Sequence, residues 1–329
     1  MRPHRSNSRS SVRPAPSLVF VPEAGAVPLP GYKLVRLRGV GGFASVWEAK
    51  SEVGDTVALK FMSSSNAGTT ARELRSLQAI QTLDHPNLLR IRQVWSLPGC
   101  IVIAMDLADA SLLDLLELYI EEFERQIEPE KICNFLLQVA QALDFLNARR
   151  HRFEGRLVGL QHGDIKPNNV LLVGDSARLA DYGLATPTSG PVTPCHRQGT
   201  AEYCPPEVFQ GNLTEWSDQF SFAVTYHVLR TGTFPYPPPP PKDQLKNYHR
   251  PEPDLSMISA PERPILARAL SPIPQNRYPN CLELMTALLA ALDLRVERTA
   301  EGLQKVRRNA GEAGEVSKSR QYKLHFNGR

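Results

Sequence analysis

The 329-residue chain has only five cysteines, Cys100, Cys133, Cys195, Cys204 and Cys281, an odd number with no C-x-x-C pair among them. Neither a disulfide framework nor a zinc site is implied, and reduced thiols are the expectation. No run of about 18 uncharged apolar residues occurs, so no membrane span is expected. The best stretch, Ile101 to Met105, is cut at once by Asp106, and the N-terminal arginines are not followed by an apolar segment of signal type. No internal repeat is present. A soluble, cytoplasmic protein is expected, and 42% apolar residues suffice for a sizeable core.

A strong basic field is also missing from the body of the chain. Of the formal charge of +4, residues 1–30 carry +3 (Arg2, Arg5, Arg9 and Arg13 against Glu23), and residues 293–329 carry +4 (nine basic against five acidic residues). About −3 is left for the middle, which gives no reason to expect nucleic acid as a partner. The first thirty residues are rich in Ser, Arg and Pro and read as a disordered tail. Alternating patterns predict strands over Tyr32–Leu37, Ala44–Ala49 and Thr56–Met62, and helical period follows from Thr70 to Leu83. Helical segments then dominate: 112–124, 129–149, 215–232, 262–271 and 279–292. Pro235 and Pro237–Pro241 around Tyr236 favour an extended polyproline segment, read as a stiff connector or as a ligand for a Pro-binding partner. The basic tail 293–329 is expected to extend the last helix through Val306 in part and otherwise to be disordered.

What is present in quantity is phosphate chemistry. His162-Gly163-Asp164-Ile165-Lys166-Pro167-Asn168-Asn169 is followed by Asp181-Tyr182-Gly183. Phosphoryl transfer needs a group to receive the attacking hydroxyl, ligands for Mg²⁺ and positive charge on the phosphates. Asp164 can be the first, Asn169 and Asp181 the second and Lys166 part of the third. An Asp and an Asn five residues apart around a proline form a stiff loop whose side chains can share one cleft.

On these motifs the chain resembles the eukaryotic-type (Hanks-type) Ser/Thr protein kinases in their bacterial form, over roughly residues 31 to 292. The resemblance implies an α+β, two-lobed fold. It places an N-lobe over 31–104 with one main helix, a hinge over 105–108, a helical C-lobe over 109–292, and tails outside. It makes Asp164 the catalytic base and Asn169 and Asp181 metal ligands. Gly39-Val40-Gly41-Gly42-Phe43-Ala44-Ser45-Val46 resembles the glycine-rich loop with Ala44 in the third glycine position. Val57-Ala58-Leu59-Lys60 resembles the strand whose lysine holds the α and β phosphates. Glu73 is the expected partner of Lys60. Met105 would limit the back pocket, backbone groups of Asp106 and Ala108 would meet the adenine edge, and Leu171 would lie under the base with Val46 and Ala58 above. Arg38 stands where the family has an apolar roof, and its aliphatic stem can substitute.

Three later motifs favour a polypeptide acceptor over a small molecule. Gly199 to Glu207 resembles G-T-x-x-Y-x-A-P-E with Pro205 for alanine, Ser217 to Ala223 resembles the start of the next helix, and Pro272 to Arg277 the last arginine motif. The resemblance implies a Glu207–Arg277 pair and an Asp218 that anchors the catalytic loop. Lys166 and Thr200 match the Ser/Thr-specific type. The reading is an ATP- and Mg²⁺-dependent Ser/Thr kinase acting on protein. The alternative is a catalytically weak kinase-fold scaffold, motivated by Arg38, Ala44 and the proline run. Gly163 replaces the arginine that in many relatives holds a phosphorylated loop residue, so phosphorylation between Asp181 and Glu207 is not expected to be the main switch.

Overall fold

The computed structural model describes residues 22–41, 44–63, 74, 77, 80–153, 155–195, 199–241, 244–245, 248–298 and 304–309. An antiparallel five-stranded sheet, order β1-β2-β3-β5-β4, forms the N-terminal part: β1 Tyr32–Val40, β2 Ala44–Ser51, β3 Thr56–Ser63, β4 Ile91–Leu97 and β5 Cys100–Asp106. The period of two decides what each face does. Along β3, Val57, Leu59 and Phe61 enter a small core with Leu34, Trp47, Val102 and Ala104. The alternate residues Ala58, Lys60 and Met62 line the cleft instead. Lys60 is paired in register with Val46 on β2 and Ile103 on β5.

Leu74, Leu77, Ile80 and Gln81 are helical, in agreement with the helical period expected there, and Leu77 and Ile80 are buried in the larger core. Glu73 lies outside the described residues, as do Gly42 and Phe43.

Two helices organise the rest, after α1 (Leu112–Glu121). α2 runs from Pro129 to Asn147 with the proline in its first turn, where a missing N–H costs nothing. α3 is the single turn Pro206–Phe209, and α4 (Ser217–Thr231) is buried almost all round. Phe220, Phe222, Ala223, Val224 and Tyr226 on α4 have no exposed surface. Gly232, at φ 75°, ends α4 in the left-handed conformation that glycine adopts without strain. α5 (Arg263–Ala269) and α6 (Cys281–Ala291) complete the helical part. The proline run starts from buried Pro235 and Tyr236, whose ring stacks on Phe220 at 6.0 Å, and leaves Pro237, Pro238 and Pro241 exposed.

The segment after α6 corrects the expected helical extension. Asp293 takes φ 55°, which breaks the helix, and the strand Leu294–Arg298 pairs antiparallel with the strand Gln304–Arg308. The first strand alternates apolar Leu294 and Val296 with charged Arg295 and Glu297, the second has Val306 as its one apolar residue, and Leu294 and Val306 are buried. The hairpin is fastened to α2 by Val306 N–H donating to Asn134 Oδ1 at 3.2 Å and by Gln141 Nε2 donating to Gln304 Oε1 at 2.6 Å.

Glu207 and Arg277, 70 residues apart, form a bidentate pair with both N–O distances at 2.8 Å. Arg277 is only 2% exposed; its other donors go to the carbonyls of Trp216 and Ser271, and Ser217 Oγ donates to Glu207. Removing one partner leaves a buried charge unanswered, at a cost of about 3–5 kcal/mol. Glu207→Ala and Arg277→Ala are each expected to lower the melting temperature by roughly 6–20 °C for a domain of this size. A change below about 2 °C in both would show that the pair does not hold the helical part together.

Candidate functional site

The cleft between sheet and helices contains a cavity of about 280 Å³. Val46 and Ala58 from the sheet, Met105 and Asp106 from the end of β5, Ala108 from the connection after it, and Leu171 from the strand Val170–Val173 line it. So do Arg38, Gly39, Lys60, Asn169 and Asp181, which gathers most of the residues expected at the nucleotide. Val40, Gly41 and Ala44 are described but do not line the cavity, although Gly41 N–H bonds the Ala44 carbonyl at 2.7 Å to close the turn. The motif reading overlooked Met62, Ile103, Leu77 and Tyr182, which also line it. Ile103 could have been found by register, since it lies opposite Lys60.

Arg38 does more than roof the cavity with its stem. Its guanidinium reaches the carbonyls of Asp109 at 3.2 Å and Ala108 at 3.4 Å and lies 3.6 Å from Glu48. One of the backbone groups expected to face adenine is therefore already engaged. The Asp106 side chain is held between Arg92 Nε at 2.8 Å and Arg178 Nη1 at 3.1 Å.

The loop of Asp164 hangs from α4. Asp218, in the first turn of that helix, accepts the N–H of His162 at 2.5 Å and of Gly163 at 2.9 Å. Burial pushes the Asp218 carboxyl up, and the two N–H bonds oppose it. Asp164 N–H donates to His162 Nδ1, so the proton of that ring is on Nε2, which donates to the Ala180 carbonyl at 2.8 Å. Gly163 sits at φ 80°, and Gly199, at φ 96°, packs so closely that an added Cβ would meet the Gly163 carbonyl at 2.8 Å. That approach brings Thr200 to Asp164.

At this junction Asp164 Oδ1 accepts the Thr200 N–H at 2.9 Å, and Oδ2 accepts Lys166 Nζ at 2.8 Å and Asn169 Nδ2 at 3.0 Å. Lys166 also donates to Thr200 Oγ1 at 2.6 Å. Burial pushes the Asp164 carboxyl up, but the hydrogen bond and charge of Lys166, with the Thr200 donors, outweigh it and hold the group below the ordinary aspartate value. Across the cleft Asp181, in the left-handed region at φ 67°, accepts Lys60 Nζ at 2.7 Å. Ala180 N–H bonds the Asn169 carbonyl at 2.9 Å and so ties the two loops together. Tyr182 is buried edge-on to His162, its hydroxyl donating to the Leu179 carbonyl and accepting the Leu89 N–H at 3.1 Å.

The protein kinase domain family matches residues 32–295, and the chain belongs to that family. It is 32% identical over 261 residues to CBL-interacting protein kinase 4 of Oryza sativa subsp. japonica, covering 75% of this chain and 54% of that protein. It is 28% identical over 275 residues to the serine/threonine-protein kinase PknF of Mycobacterium tuberculosis, covering 78% and 56% respectively. Against the PknE kinase of the same organism it is 29% identical over 279 residues, 79% of this chain and 46% of that one. The chain thus spans about half the length of the curated relatives it matches.

Two tethers of the site should differ in weight. Asp218→Ala strands the buried N–H of His162 and the partly buried N–H of Gly163, the former alone costing about 1–3 kcal/mol. Tyr182→Phe leaves Leu89 N–H still bonded to the Leu179 carbonyl at 2.8 Å, so about 0.5–1.5 kcal/mol is expected. Urea unfolding of both variants checks the order, and a Tyr182→Phe loss equal to that of Asp218→Ala would refute it.

Proposed function

We propose that this chain is an ATP-dependent protein serine/threonine kinase, with the domain over residues 31–292, its N-lobe over 31–104 and its hinge over 105–108. The observation that carries the reading is the convergence of Asp164, Lys166 and Thr200 beside a cavity that also presents Lys60, Asn169 and Asp181. The acceptor hydroxyl attacks the γ-phosphorus, the bond from that phosphorus to the β-bridging oxygen breaks, and ADP departs. Asp164 takes the proton released by the hydroxyl. Its lowered pKa keeps it ionised, and so able to accept, at neutral pH. Lys166 faces the same carboxylate and is placed to stabilise charge on the transferring group. Lys60 is placed for the α and β phosphates, releasing Asp181 when they arrive. Val46, Ala58 and Leu171 hold the base.

The amide oxygen of Asn169 and the carboxylate of Asp181 form a hard, all-oxygen donor pair. That suits Mg²⁺, which needs one or two protein ligands and takes the rest of its shell from phosphates and water. Bound there, Mg²⁺ would neutralise phosphate charge. A Ser or Thr hydroxyl of a protein is the proposed acceptor, given Lys166 and Thr200 and the names of the relatives. The need for ATP puts a cytoplasmic setting within the same proposal.

Two experiments test the assignment. Asp164→Asn and Lys60→Met should each lower phosphate transfer to β-casein or to the chain itself by about two to three decades while leaving the protein folded, as loss of a positioned charge does. Transfer near the wild-type rate in either would overturn the role given to that residue. Separately, Lys166→Met removes the group that holds the Asp164 carboxyl down, leaving burial to raise it. The acid limb of the kcat–pH profile should therefore move to higher pH, because protonated Asp164 cannot accept. A limb that stays in place or moves down would show that another group titrates there.

A further inference from the structure

Arg250 follows the proline run and belongs to none of the motifs above. Its guanidinium is drawn from water, and burial lowers its pKa. Its Cζ lies 5.1 Å from the Phe209 ring centre, 5.8 Å from that of Phe220 and 4.7 Å from that of Tyr236. Among the described residues its hydrogen bonds go to main-chain oxygen rather than to a carboxylate. Nε and Nη2 donate to the Cys204 carbonyl at 3.0 and 2.8 Å, and Nη2 also reaches the carbonyls of Glu202, at 3.0 Å, and Ala201.

Those oxygens complete the backbone accounting of one short segment. The Thr200 carbonyl accepts Tyr203 N–H at 3.0 Å, and Ser221 Oγ donates to the Tyr203 carbonyl at 2.9 Å. Ala201 also accepts Cys204 N–H, at 3.3 Å, but the carbonyls of Glu202 and Cys204 have Arg250 as their partner. Each carbonyl from Thr200 to Cys204 is thus occupied, and the segment is immobilised from behind. Its front edge is the Thr200 N–H and hydroxyl that meet Asp164 and Lys166. A buried cation whose hydrogen bonds, among the described residues, go to carbonyls and not to a carboxylate is costly, and an apolar residue would fill an aromatic cage more cheaply. What an apolar residue could not do is hold the carbonyls, and a lysine, a point charge, could not fork across them.

We propose that Arg250 is a positioning residue for the acceptor polypeptide, holding segment 200–204 in the shape that presents the acceptor hydroxyl to Asp164 without needing a phosphate on that segment. The inference rests on the reading of the chain as a protein kinase and adds to it how the acceptor side is ordered. Gly163, which offers no side chain to a phosphate, and the direct grip of Arg250 on the main chain point the same way.

The test uses the full chain with Arg250→Lys and Arg250→Met, β-casein as acceptor, and amide exchange followed by mass spectrometry. Both variants should raise KM for β-casein at least tenfold, while the Kd for Mg·ATP and ATP hydrolysis without acceptor stay within twofold. Exchange at the Thr200 and Tyr203 amides should speed up at least tenfold, with the Leu59 amide unchanged. Phosphatase-treated wild-type protein should keep its KM within twofold. An unchanged KM in a folded variant overturns the proposal, and so does a tenfold rise in the wild-type KM on phosphatase treatment. Equal loss of nucleotide and acceptor use, or failure of even the lysine variant to fold, would make Arg250 a plain structural residue and also overturns it. If wild-type protein binds Mg·ATP but phosphorylates neither casein nor itself, the kinase reading fails instead, and the exchange rates still decide whether Arg250 holds the segment.

Discussion

The Asp218 carboxylate accepts the N–H groups of His162 and Gly163 from within the first turn of α4, so the loop that carries Asp164 is suspended from a helix buried along almost its whole length. A carboxylate with no access to water must find donors, and here the donors are main-chain groups whose positions then cannot vary. The remaining geometry follows from that suspension. With His162 fixed, its ring spans Ala180 and the Asp164 N–H; with Ala180 fixed, Asp181 is set at the far side of the cleft facing Lys60.

The same helix supports the acceptor side through a different set of bonds. Ser217 holds Glu207, Ser221 holds the Tyr203 carbonyl, and Phe220 lies beneath both Arg277 and Arg250. Polar residues along a buried helix would ordinarily be a liability. On α4 each of Ser217, Asp218, Gln219, Ser221 and Thr225 is hydrogen-bonded, and several of the partners lie in the segments that line the site. The cost of burying them is met by the rigidity they confer on loops that have little core of their own.

The N-terminal sheet contributes in another way. Its strands present one face to a small core and the other to the cleft, so Ala58 and Lys60 reach the cavity because Val57, Leu59 and Phe61 are apolar and buried. A one-residue slip of β3 would exchange the faces and bury the lysine. Arg38 adds a link from this sheet to the carbonyls of Ala108 and Asp109, across the cavity mouth, which an apolar roof residue would not make.

Much of this was legible from residue order because it is local or periodic. Asp164 and Asn169 are five residues apart on one stiff loop, so their meeting, Asn169 Nδ2 to the Asp164 carbonyl at 2.8 Å, needs no distant part of the chain. The facing of Lys60 into the cleft follows from strand alternation. The Glu207–Arg277 pair was expected from resemblance rather than physics, since 70 residues separate the partners. The pairing of Leu294–Arg298 with Gln304–Arg308 is not legible in residue order: the alternation is short, and whether Val306 continues a helix or joins a strand pair depends on the packing beside α2 that buries it. Arg250 left no trace in the sequence, because its partners are carbonyls, which every residue has, and only the tertiary path brings those of 201, 202 and 204 within reach. The sequence by itself determined which chemical groups are carried and which short-range pairs they form. The tertiary structure decided which buried charges find main-chain partners, because that depends on distances between segments that residue order does not contain.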